Sequence, residues 1–153
     1  MNRRGVILRK QERALTPEEI KQKEREVERK KLELKMAHEQ SRRDKALLAT
    51  YTTESQLEET RVRHLSVPLS VIKSLEPQVK RSQDHVDELK KKAKDLSDKQ
   101  KPVPNSVQEE IDDEEFQIQA LQMDLVRKRS EADLINARFD SDKKRLRELM
   151  GLN

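Results

Sequence analysis

Apolar residues recur every seven positions in two separate stretches of this chain. One ladder is Leu65, Ile72, Val79, Val86 and Ala93, with Leu75, Leu89 and Leu96 three residues beyond its rungs. The other is Ile111, Ile118, Leu125, Ala132, Phe139 and Leu146, joined by Leu121, Ile135 and Leu149. A sustained seven-residue step is the seam of a left-handed coiled coil, because 3.5 residues per turn keeps one stripe on the partner. Lys101-Pro102-Val103-Pro104-Asn105 lies between the ladders and reads as a turn. The pattern predicts an all-α chain dominated by a long antiparallel coiled-coil helical hairpin. Its helices should cover 54–100 and 107–150, with the turn at 101–106 and a length of roughly 65–70 Å.

The register can be tested against charge. Pairing Leu96 with Ile111, Leu89 with Ile118, Val86 with Leu121 and Ile72 with Ile135 keeps the seam apolar throughout. The same register sets Lys90-Lys91-Lys92-Ala93-Lys94 beside the acidic run 109–115, as flanking charges in a coiled coil require. It also sets Phe139 against Pro68. Pro68 and Pro77 fall inside the predicted helix, where a proline costs roughly 3 kcal/mol or more, so a kink or a split is expected near 64–77. Ser82, Glu114, Lys128 and Asp142 interrupt the seam. Their side chains can snorkel past it, or they set register and leave room for another helix.

Upstream, the apolar pattern thins. Thr16-Pro17-Glu18-Glu19 is a helix start with a capping box, and a charged helix should run over 16–50. Its narrow stripe is Ile20, Val27, Leu34 and Leu48, interrupted by Ser41. Lys23, Lys30, Ala37 and Asp44 make a poor second row. Glu19–Lys23, Glu26–Lys30 and Glu39–Arg43 have the favourable four-residue spacing, worth about 0.2–0.5 kcal/mol each. This helix is expected to be mostly solvated and to touch a neighbour along that stripe. Thr52-Thr53 with Gln56 makes a second capping box, so 51–53 reads as a hinge. Asn105 or Ser106 should cap the last helix, and Gly151 should stop it. Residues 1–15 read as a basic, flexible arm, in which Gly5-Val6-Ile7-Leu8 would suit a strand but has no partner strand.

Composition agrees with an elongated helical design. Only 32% of the 153 residues are hydrophobic and 2% aromatic, while 42% are charged. A compact globule needs a thicker core, whereas a helical pair needs only two seam residues in seven. The net charge is +4, with the basic excess in the first third and an acidic balance in the last. There is no cysteine, hence no disulfide or thiolate chemistry. No apolar run approaches the ~20 residues of a membrane helix, and the N-terminus lacks a secretory signal pattern. The chain as it stands reads as cytoplasmic, and as periplasmic if Met1 truncates a longer exported protein.

Candidate chemistry is sparse. His38, His64 and His85 are far apart in sequence, and the latter two stand about 31 Å apart along one helix, too far to share a metal. Asp112-Asp113-Glu114-Glu115 lacks the alternating ligands and central glycine of a calcium loop. Two glycines leave little for a phosphate-cradling loop. No catalytic residue, cofactor site or metal site emerges. Arg3, Arg4, Arg9, Lys10 and Arg13 form a basic arm that could contact a polyanion, although no aromatic lies near to stack on bases.

The segment Ser41-Arg42-Arg43-Asp44-Lys45-Ala46-Leu47-Leu48-Ala49-Thr50-Tyr51-Thr52-Thr53-Glu54 resembles a junction in uncharacterised proteobacterial coiled-coil proteins. Lys101-Pro102-Val103-Pro104, Ala137-Arg138-Phe139-Asp140 and Arg147-Glu148-Leu149 resemble their turn and final helix. In that family a signal peptide and a small β-rich domain often precede the helices. The resemblance implies that Val6-Ile7-Leu8 is a remnant of such a domain and that the compartment is the cell envelope. It carries no catalytic residues. The expected function is a non-enzymatic structural or protein-interaction module, a spacer, tether or scaffold, with an unidentified protein partner or self-association. The alternative is nucleic-acid or polyanion binding through the arm.

Overall fold

The computed structural model describes residues 13–152. Among these there are three helices and no strand: α1 (Pro17–Thr50), α2 (Glu54–Asp98) and α3 (Asn105–Leu149). The strand-like Gly5–Leu8 stretch lies outside the described residues. The chain divides between Ala46 and Leu47 into two compact units.

The first unit contains α1 up to Ala46. Thr16 Oγ1 accepts from Glu19 N at 3.2 Å, and Glu19 Oε2 accepts from Thr16 N at 2.9 Å, so the capping box is closed in both directions. α1 buries no residue. Its cohesion comes from the backbone ladder and local pairs such as Arg29–Glu33 at 3.7 Å and Gln40–Asp44 at 2.9 Å.

In the second unit α2 and α3 pack closely. Residues late in α3 meet residues early in α2: Arg147 with Glu54, Lys143 with Glu58, Asp140 with Arg61 and Arg129 with Glu76. Nearer the turn, His85 meets Glu110 and Lys90 meets Glu115. The α3 ladder is buried on every rung, from Ile111 through Ile118, Leu125, Ala132 and Phe139 to Leu146. On α2 the buried set differs from the expected ladder. It is Leu57, Pro68, Val79, Val86 and Leu89, while Leu65, Ile72 and Ala93 are half-buried. Taken together, the buried and half-buried residues of α2 still alternate by four and three, from Arg61 through Leu65, Pro68, Ile72, Leu75 and Val79 to Ala93 and Leu96, so Pro68 sits on the row three residues beyond the rungs and Leu57 lies outside the pattern.

At Phe139 the contact differs from the expected pairing. The ring of Phe139 packs edge-on against His64, with centroids 5.3 Å apart, one helical turn before the expected Pro68.

Both prolines are accommodated within a single helix. Lacking N–H groups, Pro68 and Pro77 deprive the carbonyls of His64 and Lys73 of their usual donors. Side chains on the adjacent turns reinforce the backbone there. Ser66 Oγ donates to Arg63 O at 2.7 Å, and Gln78 Nε2 donates to Ser74 O at 3.1 Å. Pro68 is fully buried, whereas Pro77 is exposed.

The ends of α2 and α3 share one device. After α2, Lys101 N donates to Leu96 O at 2.8 Å and Gln100 N to Ser97 O at 3.0 Å, with Gln100 at φ 57°. After α3, Leu152 N donates to Arg147 O at 2.8 Å and Gly151 N to Glu148 O at 3.2 Å, with Gly151 at φ 70°. These are Schellman stops, and the second uses the glycine that the left-handed position favours. Gln100 occupies that position at a steric cost. α3 starts at Asn105 with Pro104 at its N-cap and no side-chain cap bond, so the expected Asn105 or Ser106 cap is not the one used. Pro104 sets the entry instead, its fixed φ leading the chain into the first turn.

Candidate interaction surfaces

Two clusters hold the second unit together. Near the turn, Val86, Leu89, Ile111 and Ile118 form one, with Val107 against them. At the other end Tyr51, Leu57, Phe139 and Leu146 form the second, flanked by Leu47, Ile135 and Met150. The hinge residue Tyr51 is therefore core. Its neighbours are fixed by a capping pair: Gln56 N donates to Thr53 Oγ1 at 3.2 Å, and Gln56 Oε1 accepts from Thr52 N at 2.8 Å.

A polar layer surrounds Phe139. The guanidiniums of Arg138 and Arg61 lie 5.0 Å and 5.9 Å from its ring centroid, within cation–π range. Arg61 is held by Asp140 and is only 14% exposed. Its Nε is 3.3 Å from Glu58, but the N–H is not aimed at the carboxylate and stays without a hydrogen bond. Arg138 donates to His64 Nδ1 at 3.2 Å, which requires that nitrogen to be the unprotonated one. Each charged group here is matched by a carboxylate or an aromatic face. These contacts tie α2 to α3 at the end away from the turn.

The lysine run meets the acidic run at one defined point. Lys90 Nζ lies 2.7 Å from Glu115, whose hydrogen bond and charge raise the lysine pKa above its ordinary 10.5. This favourable interaction is present below that ordinary value and is lost as pH rises through the raised one. Both partners are well exposed, so salt screens the pair.

The expected stripe on α1 is solvent-facing. Ile20, Val27 and Leu34 are exposed, and Ile20 and Val27 border a shallow depression with Leu15, Lys23, Glu24 and Lys31. Leu48, also exposed, belongs to the second unit. Of the basic arm, Arg3, Arg4, Arg9 and Lys10 lie outside the described residues. Arg13 is paired with Glu19 at 2.6 Å, so that charge is compensated at the start of α1.

Four exposed apolar residues on α3 escaped the sequence reading: Phe116, Met123, Val126 and Leu134. Phe116 and Met123 are themselves seven residues apart, a signal hidden beside the stronger seam ladder. Among the described residues no group of three or more histidines and carboxylates is placed to hold a metal ion, and no helix is long and apolar enough to cross a membrane. Comparison with models of protein families, with curated proteins and with solved structures finds no match. The chemistry open to the chain is what its own surfaces supply.

Proposed function

We propose that the chain is a non-enzymatic structural or protein-interaction module: an antiparallel coiled-coil hairpin, α2 with α3, carrying a charged helix that engages a protein partner. The observation that carries this reading is the division of apolar surface. α2 and α3 direct their stripes into each other, while α1 directs Ile20, Val27 and Leu34 to solvent and buries none of its 34 residues. An apolar stripe that the fold leaves open is available for binding.

Cysteines introduced as Glu58→Cys with Lys143→Cys, whose native side chains meet at 3.0 Å, test the hairpin. A short thiol crosslinker should join them within one chain at low protein concentration. Products found only between chains would mean that the ladders pair in trans. The partner surface is tested with Ile20→Asp combined with Val27→Asp. In cells that naturally express the protein, the unaltered chain should migrate in an assembly larger than its dimer, and the double variant should leave that assembly with its helicity and unfolding midpoint unchanged. An unaltered chain that runs only as monomer or dimer refutes a protein partner docked on α1.

A further inference from the structure

On a helix of 3.6 residues per turn, Phe116, Met123, Ser130 and Leu134 lie opposite the buried stripe of α3. Phe116, Met123 and Leu134 are exposed by 73%, 58% and 70%. No charged residue occurs from Phe116 to Met123, in a chain that is 42% charged. On the same face this window is bounded by Asp112 on its N-terminal side and Arg127 on its C-terminal side. The ridge thus has an acidic end, an apolar and amide centre, and a basic end.

We infer that this ridge docks a second copy of the same chain, antiparallel, about a twofold axis between Gln119 and Ala120. In that arrangement Phe116 of each copy faces Met123 of the other, a thioether against an aromatic ring. Asp112 of each faces Arg127 of the other, so every contact occurs twice, as an isologous interface requires. A parallel pairing would set Asp112 on Asp112 and Arg127 on Arg127, and the charge pattern rejects it. Each charge has only an exposed local partner. Arg127 stands 3.9 Å from Asp124 in an exposed pair, and Asp112 accepts from the exposed Gln108 amide at 3.0 Å. Ala120 at the axis lets the two helices approach closely. With so few apolar anchors the dimer is weak and depends on concentration.

The inference rests on reading the chain as an interaction module, and it fails separately, because the intrachain crosslink and the α1 variants do not involve this face. Sedimentation of the whole chain over a wide concentration range should show a monomer–dimer equilibrium. Phe116→Glu should raise the dissociation constant by at least about tenfold, the loss expected for a central anchor, with unchanged helicity. Asp112→Arg should weaken the dimer, and adding Arg127→Asp to the same chain should restore it. Gln119→Cys should give a disulfide-linked dimer on oxidation. A chain that stays monomeric to about 1 mM, the limit of weak specific association, overturns the proposal. So does a dimer that Phe116→Glu and Asp112→Arg leave untouched.

Discussion

Replacing Phe139 with alanine should lower the unfolding free energy of the second unit by about 3–5 kcal/mol, the usual range for deleting a buried aromatic ring. Phe139 is fully buried among Tyr51, Leu57 and Leu146, and it also seats His64, Arg61 and Arg138. Truncation removes both the apolar contacts and the face against which two guanidiniums lie. The effect should couple with Leu57→Ala, since the two side chains share one cluster. Denaturant unfolding followed by circular dichroism measures it. The second phenylalanine supplies the control: Phe116 is 73% exposed, and Phe116→Ala should change stability by less than about 0.5 kcal/mol. Equal losses at the two positions would contradict the packing described.

The two helical prolines should respond differently to the same substitution. Pro77 is exposed, so Pro77→Ala restores a donor for Lys73 O, removes the ring clash and sacrifices little packing. Stability should rise by up to about 3 kcal/mol, the propensity difference in a helix interior. Pro68→Ala restores the donor for His64 O but empties a fully buried site, and the resulting cavity offsets much of the gain. Thermal unfolding of the two variants should rank Pro77→Ala clearly above Pro68→Ala. The reverse order would mean that Pro68 is the strained residue and contributes nothing to the core.

The contrast explains which parts of the fold were legible in the sequence. Every rung of the α3 ladder is buried because its period is uninterrupted from Ile111 to Leu146. The α2 ladder was only half readable. The seven-residue template selects Leu65 and Ile72, which are only half-buried, whereas the helix buries Leu57 and Pro68 completely. The expected register sets Pro68 against Phe139, but the hydrogen bond a proline lacks says nothing of how completely its ring is buried. Tyr51 was hidden for a related reason, since Thr52-Thr53 marks a helix break and draws attention from the aromatic before it. At the surface, Ile20, Val27 and Leu34 are exposed. The Phe116 ridge was overlooked because a weak outward stripe on α3 is masked by the strong inward one. Gln100 shows a limit of residue statistics: it holds a left-handed stop for which no glycine is supplied.

The seven-residue step shared by α2 and α3 bears on how such a chain can change length during evolution. Between Val79 and Leu89 on one helix, and Ile111 and Leu125 on the other, both seams advance by sevens. An insertion of seven residues in each helix there adds one more layer and leaves all existing layers in phase. An insertion of two residues in α2 between Leu57 and Val79 would instead turn Leu57 by about 200°, away from Phe139 and Leu146. Growth and shortening are therefore open in matched steps of seven and closed to other steps. Homologues of different length should differ by sevens in both helices.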